Sequence, residues 1–224
     1  MKLLNKKAYT LAETLLTLAI IGVIAAMTIP ALKNDAEERK FVSLTQKAFN
    51  AISDATARVE TKHGNSEFWS WSGYATGNDA YKDDDSKKNG GPNLVRSWYK
   101  EVMNVDNGAK LSDSWGIAIN DLSGQSVGAS IRAAATFVTT DGMCWEIGGD
   151  SGTKNAIVDV NCETGPNIAG IDIHSFNITD DGVYPAGIKG TNFFGGAVWN
   201  CTGYVIKHGK MPWLKTPMDK CPEI

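Results

Sequence analysis

The side chain in the most consequential setting is Glu13, at the leading edge of an uncharged block spanning residues 14–32, TLLTLAIIGVIAAMTIPAL. An ionised carboxylate at membrane depth is expensive unless paired, so such an acid signals a partner to be found. The competing reading places it at headgroup level, in water. Four cysteines follow much later, Cys144, Cys162, Cys201 and Cys221. They contain no C-x-x-C spacing, which favours disulfides over zinc. Asp159, Asn161, Asn167 and Asp172 flank a turn at Gly165-Pro166, where their oxygens can converge on a calcium ion. Their spacing is not that of an EF-hand, so they read first as turn-capping Asx residues and only second as ligands. Asp83, Asp84 and Asp85, in a loop also rich in Gly and Lys, read as a solvated segment rather than a second calcium site.

Catalytic chemistry has little to stand on. His63, His174 and His208 are scattered and read as surface or capping residues, and no Ser lies in a nucleophile elbow. The expectation is a protein that is not an enzyme and has no resident cofactor. With 22 Lys plus Arg against 25 Asp plus Glu, the net charge of −3 offers no basic face for nucleic acid.

The apolar block sets the architecture. Nineteen helical residues at about 1.5 Å each just cross a hydrocarbon layer of about 30 Å. Lys2, Lys6 and Lys7 precede it with no acid before Glu13, which predicts an N-terminus on the cytoplasmic side and a chain exported beyond it. An ordinary secretory signal fits poorly. The block exceeds the usual apolar core of roughly 7–15 residues, and Val23 and Ile24 sit where a small residue should precede cleavage at Ala25 or Ala26.

The basic leader ends in the small residue Ala8, followed by Tyr9, Thr10, Leu11 and then Glu13, with Gly22 and Pro30 in the apolar run. This order and spacing resembles the prepilin-type signal of type IV pilins and type II secretion pseudopilins, over about residues 1–60. That family has a small residue (usually Gly), an aromatic (usually Phe), Thr-Leu, and Glu as the fifth residue of the mature chain. Ala8, Tyr9 and Ala12 depart from the usual residues, and Ala8 bears on cleavage efficiency. The resemblance implies that a prepilin peptidase cuts between Ala8 and Tyr9 and that Tyr9 becomes the N-methylated first residue. It also implies that an inner-membrane assembly platform polymerises the chain with other pilin-like subunits, identical or not. A neighbour's Glu13 then meets the new α-amine inside the helical bundle, and both charges are compensated only in one stacking register. Loss of the three leader lysines leaves 19 basic residues against 25 acidic, a net charge of −6.

Phe41, Leu44, Ala48, Ile52, Ala55 and Val59 recur at spacings of three and four, so the helix continues as an amphipathic rod. Lys62, His63 and Gly64 supply its stop. The predicted divisions are a leader at 1–8, a transmembrane and assembly helix at 9–32, an amphipathic half at 33–64 and a head at 65–224. A short helix is predicted over 93–104. From Ser114 the period becomes two, with strands at 115–119, 136–140, 143–147, 155–162, 171–178 and 199–207, and a hairpin at Asp141-Gly142. The fold class is α+β, a long helix on an antiparallel sheet. Four exported cysteines allow three pairings. The strand layout lets Cys144 face Cys162, which leaves Cys201 with Cys221 closing a C-terminal loop as in many pilins. Trp69, Trp71 and Tyr74 lie in a polar stretch and read as packing residues first. The alternative is a sugar- or protein-binding surface on a tethered head.

Overall fold

The computed structural model describes residues 10–69, 92–108, 116–132, 136–148, 154–162, 164–188, 197–222 and 224. The predicted cleavage residues Ala8 and Tyr9, the leader lysines, Trp71, Tyr74, the acids at 83–85 and Trp115 lie outside them.

A single helix, α1 (Leu11–His63), runs for 53 residues, about 80 Å. Pro30 lies within it without ending it, although its ring nitrogen has no hydrogen to offer the carbonyl of Ala26. Gly64 accepts the stop, its N–H donating to the Glu60 carbonyl at 2.9 Å. Beyond residue 40 one face of α1 is buried, through Phe41, Val42, Thr45, Ala48, Ile52, Ala55, Thr56 and Val59. Two threonines in this stripe carry polar links into the head. Thr56 meets the Tyr99 hydroxyl at 2.8 Å, and Thr45 meets His174 at the same distance.

The face is buried against an antiparallel meander of five strands, β3 (Thr136–Val138), β4 (Cys144–Ile147), β5 (Asn155–Asp159), β6 (Ile173–Thr179) and β7 (Gly182–Pro185), paired in chain order. A smaller hairpin, β1 (Gly116–Asn120) with β2 (Ser126–Arg132), forms its own two-stranded sheet. Helix α2 (Pro92–Val102) buries Val95, Tyr99 and Val102, one stripe at spacings of four and three. The β3–β4 hairpin turns at Asp141-Gly142 as its composition requires: Gly142 takes a φ of 83°, and Thr139 N–H donates to Met143 O at 2.9 Å.

The structure corrects the predicted last strand. Residues 197–200 form a 3-10 turn and Cys201–His208 form helix α3. Thr202, Val205 and Ile206 are β-branched and favour strands, yet Cys201, Thr202 and Val205 are the buried face of a helix. Gly203 explains how it fits. Its N–H donates to Ala186 O at 2.7 Å, and a Cβ there would lie 2.9 Å from that carbonyl oxygen. The predicted strands at 155–162 and 171–178 are trimmed to β5 and β6, because the chain leaves the sheet at Val160 and returns at Ile173.

His174, expected at the surface, is fully buried. Its Nε2 lies 3.0 Å from the Ile171 carbonyl, an acceptor only, which assigns the proton to Nε2. Nδ1 faces the Thr202 hydroxyl at 3.4 Å. The neutral ring thus ties α1, β6 and α3 together, and burial, opposed by the bond to Ile171, lowers its pKa to about 4. Between the ordinary value near 6.5 and 4 the unfolded chain binds a proton that the folded head refuses. His174 therefore makes stability fall as pH drops through that window, by about 3 kcal/mol in full. A His174→Gln variant should lose that contribution. Urea unfolding of the full chain at pH 7 and pH 4.5 checks this, and an identical acid loss in both proteins would contradict a buried neutral imidazole.

Candidate functional site: the uncovered end of the long helix

Among the described residues nothing packs on the apolar half of α1. Leu11, Leu15, Leu16, Leu18, Ile20, Ile21, Val23, Ile24, Met27, Ile29 and Leu32 are all more than half exposed. The run is long and apolar enough to cross a membrane, with a mean hydropathy of 2.4 over its best 18 residues. Its hydroxyls are already compatible with lipid. Thr17 donates to Thr14 O at 2.9 Å and Thr28 to Ile24 O at 3.0 Å, and Thr14 donates to Leu11 O at 2.9 Å. Gly22 lies in open space on this segment.

Glu13 is engaged within its own chain. Thr10 caps the helix, its hydroxyl accepting from Glu13 N–H at 3.3 Å. In return Glu13 Oε2 accepts from Thr10 N–H at 2.9 Å and from the Thr10 hydroxyl at 3.1 Å. This reciprocal capping box offsets part of the cost of an acid at the mouth of an apolar rod. The signal was present in the sequence as Thr10-Leu11-Ala12-Glu13 and is easily missed beside the more prominent apolar run. Only one carboxylate oxygen is engaged; Oε1 accepts no hydrogen bond among the described residues.

The four Asx residues of the β5–β6 loop are brought together. Val160 N–H donates to the Asp172 carbonyl at 2.9 Å, so the two acids sit side by side at the neck of the loop. Both are fully buried. Asp172 caps the loop through both oxygens, accepting from Asn167 N–H at 2.8 Å and Ile168 N–H at 2.7 Å. Burial, and then the neighbouring Asp172, push the Asp159 carboxyl up to about 8. Burial also raises Asp172, opposed by the N–H groups of Ile168 and Asn167.

Two disulfides join Cys144 to Cys162 and Cys201 to Cys221, with Cα–Cα separations of 5.0 and 5.2 Å. The second closes the C-terminal segment, which then buckles onto α1 where the apolar run ends. Lys215 Nζ lies 2.8 Å from Asp35 and 2.7 Å from Glu38, and Glu38 Oε1 accepts from Met211 N–H at 2.9 Å. Lys215 holds both carboxyls below their ordinary range. Sequence patterns offered no route to this clasp, because its partners lie more than 170 positions apart. Trp69 is buried, with its indole N–H on the Gly64 carbonyl at 2.9 Å.

Comparison with family models, with characterised proteins and with solved structures finds no match.

Replacing Cys201 and Cys221 by Ser should lower unfolding stability by about 2–4 kcal/mol and release the tail from α1. Denaturant unfolding and limited proteolysis near Lys215 check this. Unchanged stability with a protected tail would show that the ion pairs to Asp35 and Glu38 suffice.

Proposed function

We propose that this chain is a non-enzymatic structural subunit of a pilin-like filament, a type II secretion pseudopilus or a type IV pilus. In this reading it is cut between Ala8 and Tyr9 by a prepilin peptidase, N-methylated, held in the inner membrane with its head outside the cytoplasm, and polymerised by an assembly platform. The observation that carries the reading is the uncovered half of α1. It is one rigid helix with the half that anchors the head, and lipid or sister helices are the surroundings that suit it. The resemblance of residues 1–60 to prepilin signals, quoted above, supplies the family.

Glu13 acts as the register device. In the lone subunit its Oε2 caps its own helix, and its charge remains uncompensated. In the filament a neighbour's N-terminal amine approaches the remaining oxygen, and the pair forms only in one stacking register. A tethered binding head is the second reading. Of the three aromatics that suggest it, Trp69 is buried, while Trp71 and Tyr74 lie outside the described residues.

Co-expression with a prepilin peptidase should shorten the chain by its first eight residues, read by intact mass; a chain that keeps them contradicts the processing step. Two substitutions then separate cap from charge. Glu13→Gln keeps the capping hydrogen bonds but removes the charge, and Thr10→Ala keeps the charge and the backbone N–H bond to Glu13 but removes both hydroxyl bonds. Glu13→Gln should insert normally and assemble poorly, whereas Thr10→Ala should assemble. The opposite pattern would make the capping box, not charge pairing, the reason for the acid.

A further inference from the structure

The segment of α1 that leaves the apolar run carries both signs of charge, and the fold treats them unequally. Its acids are all engaged. Glu37 pairs with Lys33 at 3.8 Å, and Asp35 and Glu38 share Lys215 at 2.8 and 2.7 Å. Two of its cations are left over. Arg39 and Lys40 are exposed and form no ion pair among the described residues.

The C-terminal clasp brings two more cations to the same level. Met211 N–H donates to Glu38 Oε1 at 2.9 Å, and a Cβ on Gly209 would lie 4.0 Å from Gln46 Nε2. Lys210 stands between these two contacts, and Lys207 lies in the last turn of α3 just before them. Both are exposed and likewise form no ion pair among the described residues. Charge is divided along the chain in the same sense. Residues 33–40 and 201–224 together hold seven basic and five acidic side chains, a net charge of +2. Residues 41–200 hold 12 basic and 19 acidic, a net charge of −7.

The height of these cations on the rod selects their partner. Arg39 and Lys40 stand about 10–12 Å beyond Leu32 along the helix axis. Side chains on a helix lean toward its N-terminus, here toward the apolar run, and long basic side chains reach further still. The polar headgroup layer adds about 5–7 Å to each side of the hydrocarbon. The cations therefore reach the headgroup layer, and the acids beside them are already covered by Lys33 and Lys215.

We infer that the exit of α1 and the C-terminal clasp form a basic collar, Arg39, Lys40, Lys207 and Lys210, that binds the phosphate groups of anionic phospholipids. The inference rests on the membrane part of the proposed function and not on polymerisation. A lysine or arginine near an anionic surface strengthens attraction by a factor of about five, so four of them give a lone subunit a preference for such lipids. The acidic head of a second copy is the rival partner. The bilayer is favoured because it lies at the height of the collar on every side of the subunit before any copy joins it. Bound headgroups would hold the head close to the membrane with its more acidic part turned away.

The test places the full chain in phosphatidylcholine vesicles with traces of spin-labelled phosphatidylglycerol or spin-labelled phosphatidylcholine. Electron paramagnetic resonance then reads the fraction of each lipid restricted by the protein. Phosphatidylglycerol should be preferred by about threefold or more at low salt, and the preference should fade near 1 M salt, where the Debye length is about 3 Å. Replacing Arg39, Lys40, Lys207 and Lys210 together by Gln should cut the preference at least twofold. The clasp through Lys215 is untouched, so urea unfolding should be unchanged. The leader lysines are common to both proteins, so the difference isolates the collar. Lys62→Gln, at the far end of α1, should leave the preference as it was. A chain that restricts no lipid at all would defeat the membrane reading itself. Equal preference in the native chain and the fourfold variant, or an equal loss in Lys62→Gln, would overturn the collar alone. A fourfold variant that keeps its lipid preference but loses chain-to-chain cross-links would assign these cations to a second copy and overturn it too.

Discussion

The structure is governed by the continuity of α1. One unbroken backbone carries a half that is apolar on every side and a half that is apolar on one side only. The second half is satisfied within the chain, because the head buries Phe41 to Val59. The first half is covered by none of the described residues, and one continuous helix holds it away from the head. Lipid or a second copy of the helix is the environment that suits such a surface. Pro30 lies close to the change from one regime to the other and does not interrupt it.

Several devices secure the head to the rod. Thr45 and Thr56 join α1 to His174 and Tyr99 inside the core, where a polar pair is tolerated only because each partner is hydrogen-bonded. At the exit from the apolar run, Asp35 and Glu38 receive Lys215, and the second disulfide holds that lysine's segment to α3. Exposed ion pairs contribute little singly, so the clasp depends on the covalent closure behind it. Together these links mean that a force on the head is transmitted to the rod, a property that a filament subunit needs.

Much of this was legible in the sequence, and the exceptions have physical causes. The long helix, its stop at Gly64, the hairpin at Asp141-Gly142 and the α+β class follow from periodicity and turn chemistry, which are local. Residues 199–207 fold as a helix because β-branched content favours strands only where a sheet is available, and here Ala186, just after β7, and the C-terminal Ile224 close around Gly203. β2 carries Gly128 in its run, and β7 has only four residues between Gly182 and Pro185, so neither stands out as a strand in the sequence. At the sites, the Thr10–Glu13 box was a visible four-residue pattern. The burial of His174 and of the neighbouring acids Asp159 and Asp172 is not visible there, because it depends on which neighbours the fold brings to them.

The central claim is that the uncovered half of α1 is completed by sister helices held in register through Glu13. A photoreactive residue at Leu16, which is 61% exposed, tests it in membranes that contain a working assembly apparatus. The account predicts a defined cross-link between two copies of the chain that disappears in Glu13→Gln while membrane insertion is unchanged. Cross-links to lipid alone, or a chain-to-chain cross-link of equal yield in both proteins, would contradict it.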